Sequence, residues 1–111
     1  MAKFLAVYTG MHRDVPPDMD PAAMAKGMQA WGDWMTRHAA IVVEPGGPLG
    51  RTKKVSNVGV EDVRNNLSGF TIIEADSIEA AAALFKDHPH FTIFPGDGVE
   101  IMPVMPIPTP A

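Results

Sequence analysis

An amphipathic helix between Met24 and His38 constrains the fold of this chain more than any other segment. At about 100° per residue, its larger apolar side chains fall on one stripe: Met24, Met28, Trp31 and Met35, with Trp34 and His38 at the edge. The opposite side is polar and carries Lys26, Gln29, Asp33, Thr36 and Arg37. We therefore expect one face of soft and aromatic groups to be buried, and we assign Met24, Met28 and Met35 to the core.

The size and composition of the chain limit the classes of protein to which it can belong. With 111 residues, we expect one domain over 1–111 and a single core that buries about two-thirds of the unfolded surface. The net charge of −4 argues against nucleic-acid binding, which requires a basic stripe. No apolar run reaches the roughly 18 residues of a membrane span. Without cysteine there is no thiolate chemistry, and we expect a soluble, cytoplasmic protein with no membrane partner.

The succession of apolar runs and helix caps predicts the element order βαβββαβ. Strands are expected over 3–8, 41–44, 52–58, 68–75 and 99–104, with a polar turn over 59–66. One helix is expected from Pro21 to about residue 40, with Asp18 or Asp20 as its N-cap, and a second over 78–86 with Ser77 as its N-cap. This order predicts an α+β, ferredoxin-like sandwich, a mainly antiparallel sheet with two helices on one face.

Two features of this fold point to self-association. A sheet covered by helices on one face leaves the other face to be covered, and pairing of two sheets about a two-fold axis does so. The chain also ends in a proline-rich tail over 103–111, which favours an extended conformation. The tail is either a frayed terminus or an arm laid across a neighbouring subunit. A homodimer formed through the sheet faces is therefore expected.

Several segments, read in order, resemble the YCII-related proteins, in particular the branch that carries a DGPF motif. They are Ala30-Trp-Gly-Asp-Trp-Met35, Glu44-Pro-Gly-Gly-Pro-Leu-Gly50, Leu67–Ala80, His88-Pro89-His90 and Gly98–Val104. The resemblance covers nearly the whole chain and implies a ferredoxin-like subunit that pairs into a dimeric α/β barrel.

The chain departs from this family pattern at its motif and at its implied catalytic pair. Where the branch carries DGPF followed by Glu and Lys, this chain reads Asn57-Val-Gly-Val60 with Asp62 and Arg64. The resemblance places the His–Asp couple of some members at about Ala30 and Ala39. Neither alanine can transfer a proton, so the inherited activity is not expected.

Two histidines are candidates for acid–base catalysis. His38 ends the amphipathic helix beside Trp34, and His12 follows the first strand; an imidazole can act as a general base near neutral pH. The alternative for His38 is a helix C-terminal position, where the helix dipole favours a cation. His88 and His90 flank a proline on an expected loop, and a metal site would need a third ligand. No metal or other cofactor is expected.

A small-molecule site is expected between the first helix and the sheet. Its candidate lining is Tyr8, Met11, Trp31 and Trp34, because aromatic groups with a few polar atoms are the usual lining of such sites. Arg64 is a further candidate, since an arginine can clamp a carboxylate. Two functions stay open: a dimeric protein that binds a small apolar or aromatic molecule without catalysis, and a cofactor-free enzyme with a histidine base for proton transfer, elimination or ring modification.

Overall fold

The computed structural model describes residues 1–11 and 18–110. Its elements, in chain order, are β1 (Ala2–Thr9), α1 (Pro21–Arg37), β2 (Val42–Pro48), β3 (Thr52–Ser56), β4 (Gly59–Val63), β5 (Leu67–Ala75), α2 (Ile78–Ala83), α3 (Pro89–Thr92) and β6 (Gly98–Pro103). Asp20 accepts from the Ala23 amide at the start of α1, and Ser77 accepts from the Ala80 amide at the start of α2. Both side chains satisfy an otherwise unpaired helix N–H.

The main sheet has four antiparallel strands in the order β2-β5-β1-β6. Without the inserted β3–β4 pair, the connections are those of the ferredoxin-like fold, in which each strand–helix–strand unit is split by a strand of the other unit. The predicted α+β, ferredoxin-like fold is confirmed. In β1, Phe4 faces Ile73 of β5, and Ala6 faces Thr71.

The core lies between the sheet and the helices. Its buried members come from alternate positions of β1 and β5, from α1 and α2, and from the turn after α2: Phe4, Ala6, Tyr8, Trp34, Ile73, Ala75, Ala81 and Phe85. Alternate residues of a strand point to opposite faces, so one face of the sheet is covered by α1 and α2 together. This face, near the end of β1, forms the floor of the candidate site.

The polar segment expected to be a turn over 59–66 instead forms strand β4, which pairs with β3 as a separate two-stranded ribbon. The chain reverses between Ser56 and Gly59, and Gly59 has a φ of 123°, a conformation that glycine adopts readily. Val55 lies opposite Val60, and Lys53 lies opposite Asp62. The predicted turn was wrong because the charged residues of β4 lie on an exposed ribbon, where apolar alternation is not required.

Strand β2 also differs from expectation, because it continues through Pro45 to Pro48 instead of ending at Glu44. Its register with β5 shifts twice, between Val42 and Glu44 and between Glu44 and Gly47. Such bulges in an edge strand accommodate prolines, which cannot donate to the ladder. Gly46, at a φ of 68°, passes directly against the Phe70 carbonyl, a position closed to any side chain.

The second predicted helix, expected over 78–86, is shorter than predicted, and a further short helix follows it. α2 ends at Ala83, the chain turns at Asp87 with a φ of 61°, and α3 begins at Pro89. The segment expected to be a loop at His88 is therefore a helix start, in which His88 Nδ1 accepts from the amide of His90 at 3.0 Å. This arrangement turns both histidines inward, toward Tyr8 and Trp31.

The sheet face opposite the helices carries apolar side chains in its centre. The register places Leu5 and Val7 of β1 beside Ile72 and Phe70 of β5, with Met102 of β6 at 40% exposure. Within residues 1–11 and 18–110, the core helices pack on the other face. In the tail, Met105 and Ile107 are exposed.

Candidate ligand-binding site

A cavity of about 660 Å³ lies between the first half of α1 and the sheet. Its lining is mostly apolar and comes from α1, β1, β2, β5 and α3: Tyr8, Met11, Met24, Met28, Trp31, Gly32, Pro45, Gly47, Pro48, Ser68, Gly69, Phe70, Thr71, His90 and Phe94. Large apolar pockets with a few convergent polar groups are the usual form of small-molecule sites.

The methionines at the start of α1 line this cavity and are not core residues. Met24 is 37% exposed and Met28 is 63% exposed, whereas Trp34 is 2% exposed. The assignment of Met24 and Met28 to the core was therefore wrong, while Met35 does pack against it. The buried side of α1 is centred on Gly27 and Trp34, so the methionine stripe faces the cavity. Flexible methionine side chains adapt to irregular ligand surfaces.

Gly27 sets the distance between α1 and the segment after α3. A Cβ at this position would lie 2.6 Å from both Cε2 and Cζ of Phe94. Phe94 in turn meets Trp31, with ring centroids 6.0 Å apart. The missing side chain of Gly27 therefore allows the Phe94 ring to form one wall of the cavity.

A hydrogen-bonded chain fixes the hydroxyl of Tyr8 at the floor. Its oxygen lies 2.8 Å from Thr71 Oγ1, and that hydroxyl donates to the carbonyl of Pro45 at 3.1 Å. A threonine hydroxyl has one proton, so satisfying both bonds requires Tyr8 to donate to Thr71. Burial raises the pKa of Tyr8 to about 12, against a smaller lowering by the Thr71 hydrogen bond, and the phenol is neutral at physiological pH.

His90 is the second polar group of the cavity. Its Nε2 lies 2.7 Å from the carbonyl oxygen of Thr9 and must donate to it, because a carbonyl only accepts. Gly96 packs so closely that a Cβ there would overlap the imidazole. Burial lowers the pKa of His90, opposed by the Thr9 hydrogen bond and by Asp97. The neutral ring therefore keeps its proton on Nε2, and Nδ1 is left as an acceptor.

His88 supports the cavity from behind. Its ring is fully buried and lies 4.6 Å from Trp31, at 90°, and 5.2 Å from Tyr8. Since Nδ1 accepts from the His90 amide, Nε2 carries the proton, and this buried nitrogen has no hydrogen-bond partner among the described residues. Burial, with repulsion from His90 and His38, lowers the pKa of His88 to about 4.

The structure brings three of the sequence-predicted ligand-binding residues together: Tyr8, Met11 and Trp31 all line the cavity. Tyr8 and Trp31 are in direct ring contact, with centroids 4.9 Å apart. Trp34 does not line it. Its indole N–H donates to the Leu84 carbonyl at 3.1 Å, and its ring packs against Phe85 in the core.

The other predicted site residues lie elsewhere. The His38 ring packs at a tilt against Trp34, with ring centroids 4.6 Å apart, and the pKa of His38 is lowered by burial and by Arg37. In residues 1–11 and 18–110 its imidazole has no carboxylate partner. Arg64 follows β4 and lines a separate polar cleft of about 490 Å³ with Arg51 and Asp62. His12 lies outside the residues that the structure describes.

Sequence reasoning missed His90, Thr71 and Phe94 as cavity residues. His90 was placed on a loop because the proline between the histidines hides a helix start, and no sequence pattern indicates that its ring returns to Thr9. The alternation of β5 does place Thr71 on the buried face, where a hydroxyl requires a partner; this signal was available.

The described residues form neither a metal-binding cluster nor a membrane-spanning helix. In that part of the chain, no group of three or more His, Cys, Asp or Glu side chains is placed to hold a metal ion. None of the described helices has the length and apolar character needed to cross a membrane.

No family model matches the chain, and no curated protein matches it. Among solved structures, it is similar to the 5-chloro-2-hydroxyhydroquinone dehydrochlorinase from Burkholderia phenoliruptrix AC1100, determined in complex with 2,5-dihydroxybenzoquinone. The two chains are 17% identical, the match covers 90% of each, and the TM-score is 0.50. At this identity the likeness shows the fold alone.

Proposed function

We propose that this protein binds a small, flat, largely apolar molecule in the cavity between α1 and the sheet. The observation that carries the proposal is the lining itself. The cavity is surrounded by two aromatic rings, Trp31 and Phe94, and by two methionines, Met24 and Met28, which are 37% and 63% exposed. Its polar side chains lie at the floor. A ligand that covers these exposed methionines would bind favourably, because burial of apolar surface contributes about 25 cal/mol per Å².

A fluorescence titration with N-phenyl-1-naphthylamine, a neutral aromatic probe, tests this proposal. We expect emission enhancement with saturation in the wild type. Trp31→Ala removes an aromatic wall of the cavity. The dissociation constant of this variant for the probe should therefore be at least about fivefold higher than that of the wild type, a typical effect of losing one apolar contact surface.

His38→Gln is the matched control, since His38 lies at the far end of α1 and does not line the cavity. Its affinity should equal that of the wild type. Saturable binding that is unchanged in Trp31→Ala would place the probe elsewhere and contradict the proposal.

The functional unit in this proposal is a homodimer paired through the open sheet face. The support is the apolar centre of that face, with Leu5, Ile72 and Met102, on a fold whose superfamily is dimeric. We likewise propose that the chain belongs to the DGPF-bearing branch of the YCII-related proteins. The support is the order in which the matching segments occur along the sequence.

A second candidate function, a cofactor-free proton transfer, is favoured by His90. Its Nε2–H is held on the Thr9 carbonyl, which orients the ring and leaves Nδ1 to remove a proton from a bound carbon acid. The sequence predicted His38 and His12 for the same role, but His38 does not line the cavity and His12 lies outside the described residues. The neighbouring structure is that of an enzyme, a dehydrochlorinase.

Deuterium exchange at C1 of 2-tetralone in D₂O, followed by NMR, separates binding from catalysis. In this reaction the base removes the C1 proton, the electron pair moves onto the carbonyl oxygen, and a deuteron returns to carbon. A catalytic His90 predicts exchange above the buffer rate that is lost in His90→Gln and kept in His38→Gln. Exchange at the buffer rate in the wild type would favour binding alone.

A further inference from the structure

The protons of the polar side chains on the cavity floor are committed to other protein groups. Tyr8 donates to Thr71, and Thr71 donates to Pro45. Ser68 Oγ donates to the Tyr8 carbonyl at 2.9 Å, and His90 Nε2 donates to Thr9. These bonds leave lone pairs free on the Tyr8 and Ser68 oxygens and on His90 Nδ1, and all three residues line the cavity.

The donor and acceptor roles in these hydrogen bonds are not readily exchanged. If Thr71 donated to Tyr8 instead, the Pro45 carbonyl would lose its hydrogen bond from Thr71. If His90 carried its proton on Nδ1, two acceptors, Nε2 and the Thr9 carbonyl, would face each other at 2.7 Å. A close pair of acceptors is unfavourable, because neither can supply a proton. In the described lining, the indole N–H of Trp31 is the one side-chain donor without a protein partner.

The described residues that line the cavity also carry no charge at neutral pH. They include no Lys, Arg, Asp or Glu, and burial lowers the pKa of His90, so that its imidazole is neutral at pH 7. An anionic ligand would lose its hydration on entering the cavity and would meet no counter-charge among these residues. Burial of an unpaired charge in an apolar site costs several kcal/mol. The described part of the lining therefore disfavours a carboxylate even when its ring is of the right size.

We infer that the ligand of this site is a neutral aromatic molecule that carries a hydroxyl or N–H hydrogen-bond donor, a phenol rather than an aryl ether or an aryl carboxylate. The inference rests on the proposed binding function and adds the polarity of the recognised group. The donor of the ligand lies at the floor, on Tyr8 and His90, and its ring lies against Trp31 and Phe94.

Isothermal titration with three ligands that share one ring system tests the inference. We expect 2-naphthol to bind about tenfold more tightly than 2-methoxynaphthalene, the range of one to two hydrogen bonds, and 2-naphthoate to bind most weakly. Equal or tighter binding of the ether would overturn the inference while the binding function stands. If none of the three binds, the proposed function itself fails.

Thr71→Val gives an independent test, because it releases the Tyr8 proton. The hydroxyl can then donate into the cavity, so the naphthol-to-ether affinity ratio should fall toward one. Thr92→Val is the control: Thr92 donates to the His88 carbonyl, outside the cavity lining, and the ratio should stay near tenfold. Tyr8→Phe, which removes the acceptor, should lower the ratio as well if Thr71→Val does not fold. An unchanged ratio in the folded variants would contradict the assignment.

Discussion

At the scale of single residues, His88 shows how a buried imidazole can be held neutral by its surroundings. Its Nδ1 caps α3, and its other nitrogen lies among the rings of Tyr8, Trp31 and Trp34. Protonation would remove the acceptor of the cap and place a charge among aromatic rings. Both effects oppose the charged form, in line with its low pKa.

Acid sensitivity follows from this environment. The pKa of His88 is about 4 in the folded protein, against 6.5 for an ordinary histidine. Between these values the unfolded chain binds more protons than the folded one, so stability is lost as the pH falls from about 6.5 toward 4. We expect a loss of about 3 kcal/mol from this group, measured by urea unfolding at several pH values.

His88→Asn should remove most of this pH dependence, since asparagine can cap α3 but does not titrate in this range. His38→Gln, a change of a more exposed histidine, should keep it. If the free energy of unfolding of His88→Asn depends on pH as steeply as that of the wild type, other groups cause the acid sensitivity.

At the scale of elements, α1 contains a matched pair of glycines with opposite predicted effects. Gly32→Ala meets no atom within 4 Å and should stabilise the protein by about 0.5–1 kcal/mol through helix propensity. Gly27→Ala gains the same propensity but drives a methyl group into Phe94. We expect a net destabilisation in thermal unfolding and a weaker binding of N-phenyl-1-naphthylamine, because Phe94 forms a cavity wall.

Equal stabilisation by both substitutions would mean that Phe94 moves aside at no cost. In that case the close approach of α1 to the Phe94 segment does not shape the cavity.

The β3–β4 ribbon should be the least protected of the paired strands. A two-stranded ribbon is marginally stable in water, and this one forms a sheet of its own, with Val55 and Val60 exposed. Backbone amides of β3 and β4 should exchange with deuterium at least about 100-fold faster than those of β1 and β5. Comparable protection would indicate that the ribbon is covered, for example by a second subunit.

The elements also show what sequence alone could predict. Apolar runs located β1 and β5, and the candidate caps, Asp18 or Asp20 and Ser77, located the helix starts. The β4 strand was missed because its exposed charges satisfy no apolar pattern, and the extension of β2 was missed because it depends on bulges at Pro45 and Gly46. For the cavity, Tyr8, Met11 and Trp31 were predictable as neighbours of a helix and a strand end. The path that returns His90 to Thr9 depends on tertiary packing.

At the scale of the whole molecule, the two apolar surfaces have separate roles in our account. Met102 lies on the open sheet face, proposed to pair with a second copy, and Met28 lies on the cavity. Light scattering of the wild type should give about 24 kDa, twice the 11.9 kDa of the chain. Met102→Glu should shift this mass toward the monomer, because it places charges in an apolar interface.

Met28→Glu is the matched control for the same substitution on the other surface. It should leave the mass at about 24 kDa and weaken the binding of N-phenyl-1-naphthylamine. A wild-type mass near 12 kDa would exclude the proposed dimer.

The two tryptophans report directly on whether the cavity beside Trp31 holds the ligand. In an NMR titration with 2-naphthol, the indole N–H signal of Trp31 should shift progressively, because this ring lines the cavity. The Trp34 signal should stay nearly unchanged, since that N–H is bonded to Leu84 in the core. Shifts confined to Trp34, or no shift of either signal at saturating 2-naphthol, would contradict the account.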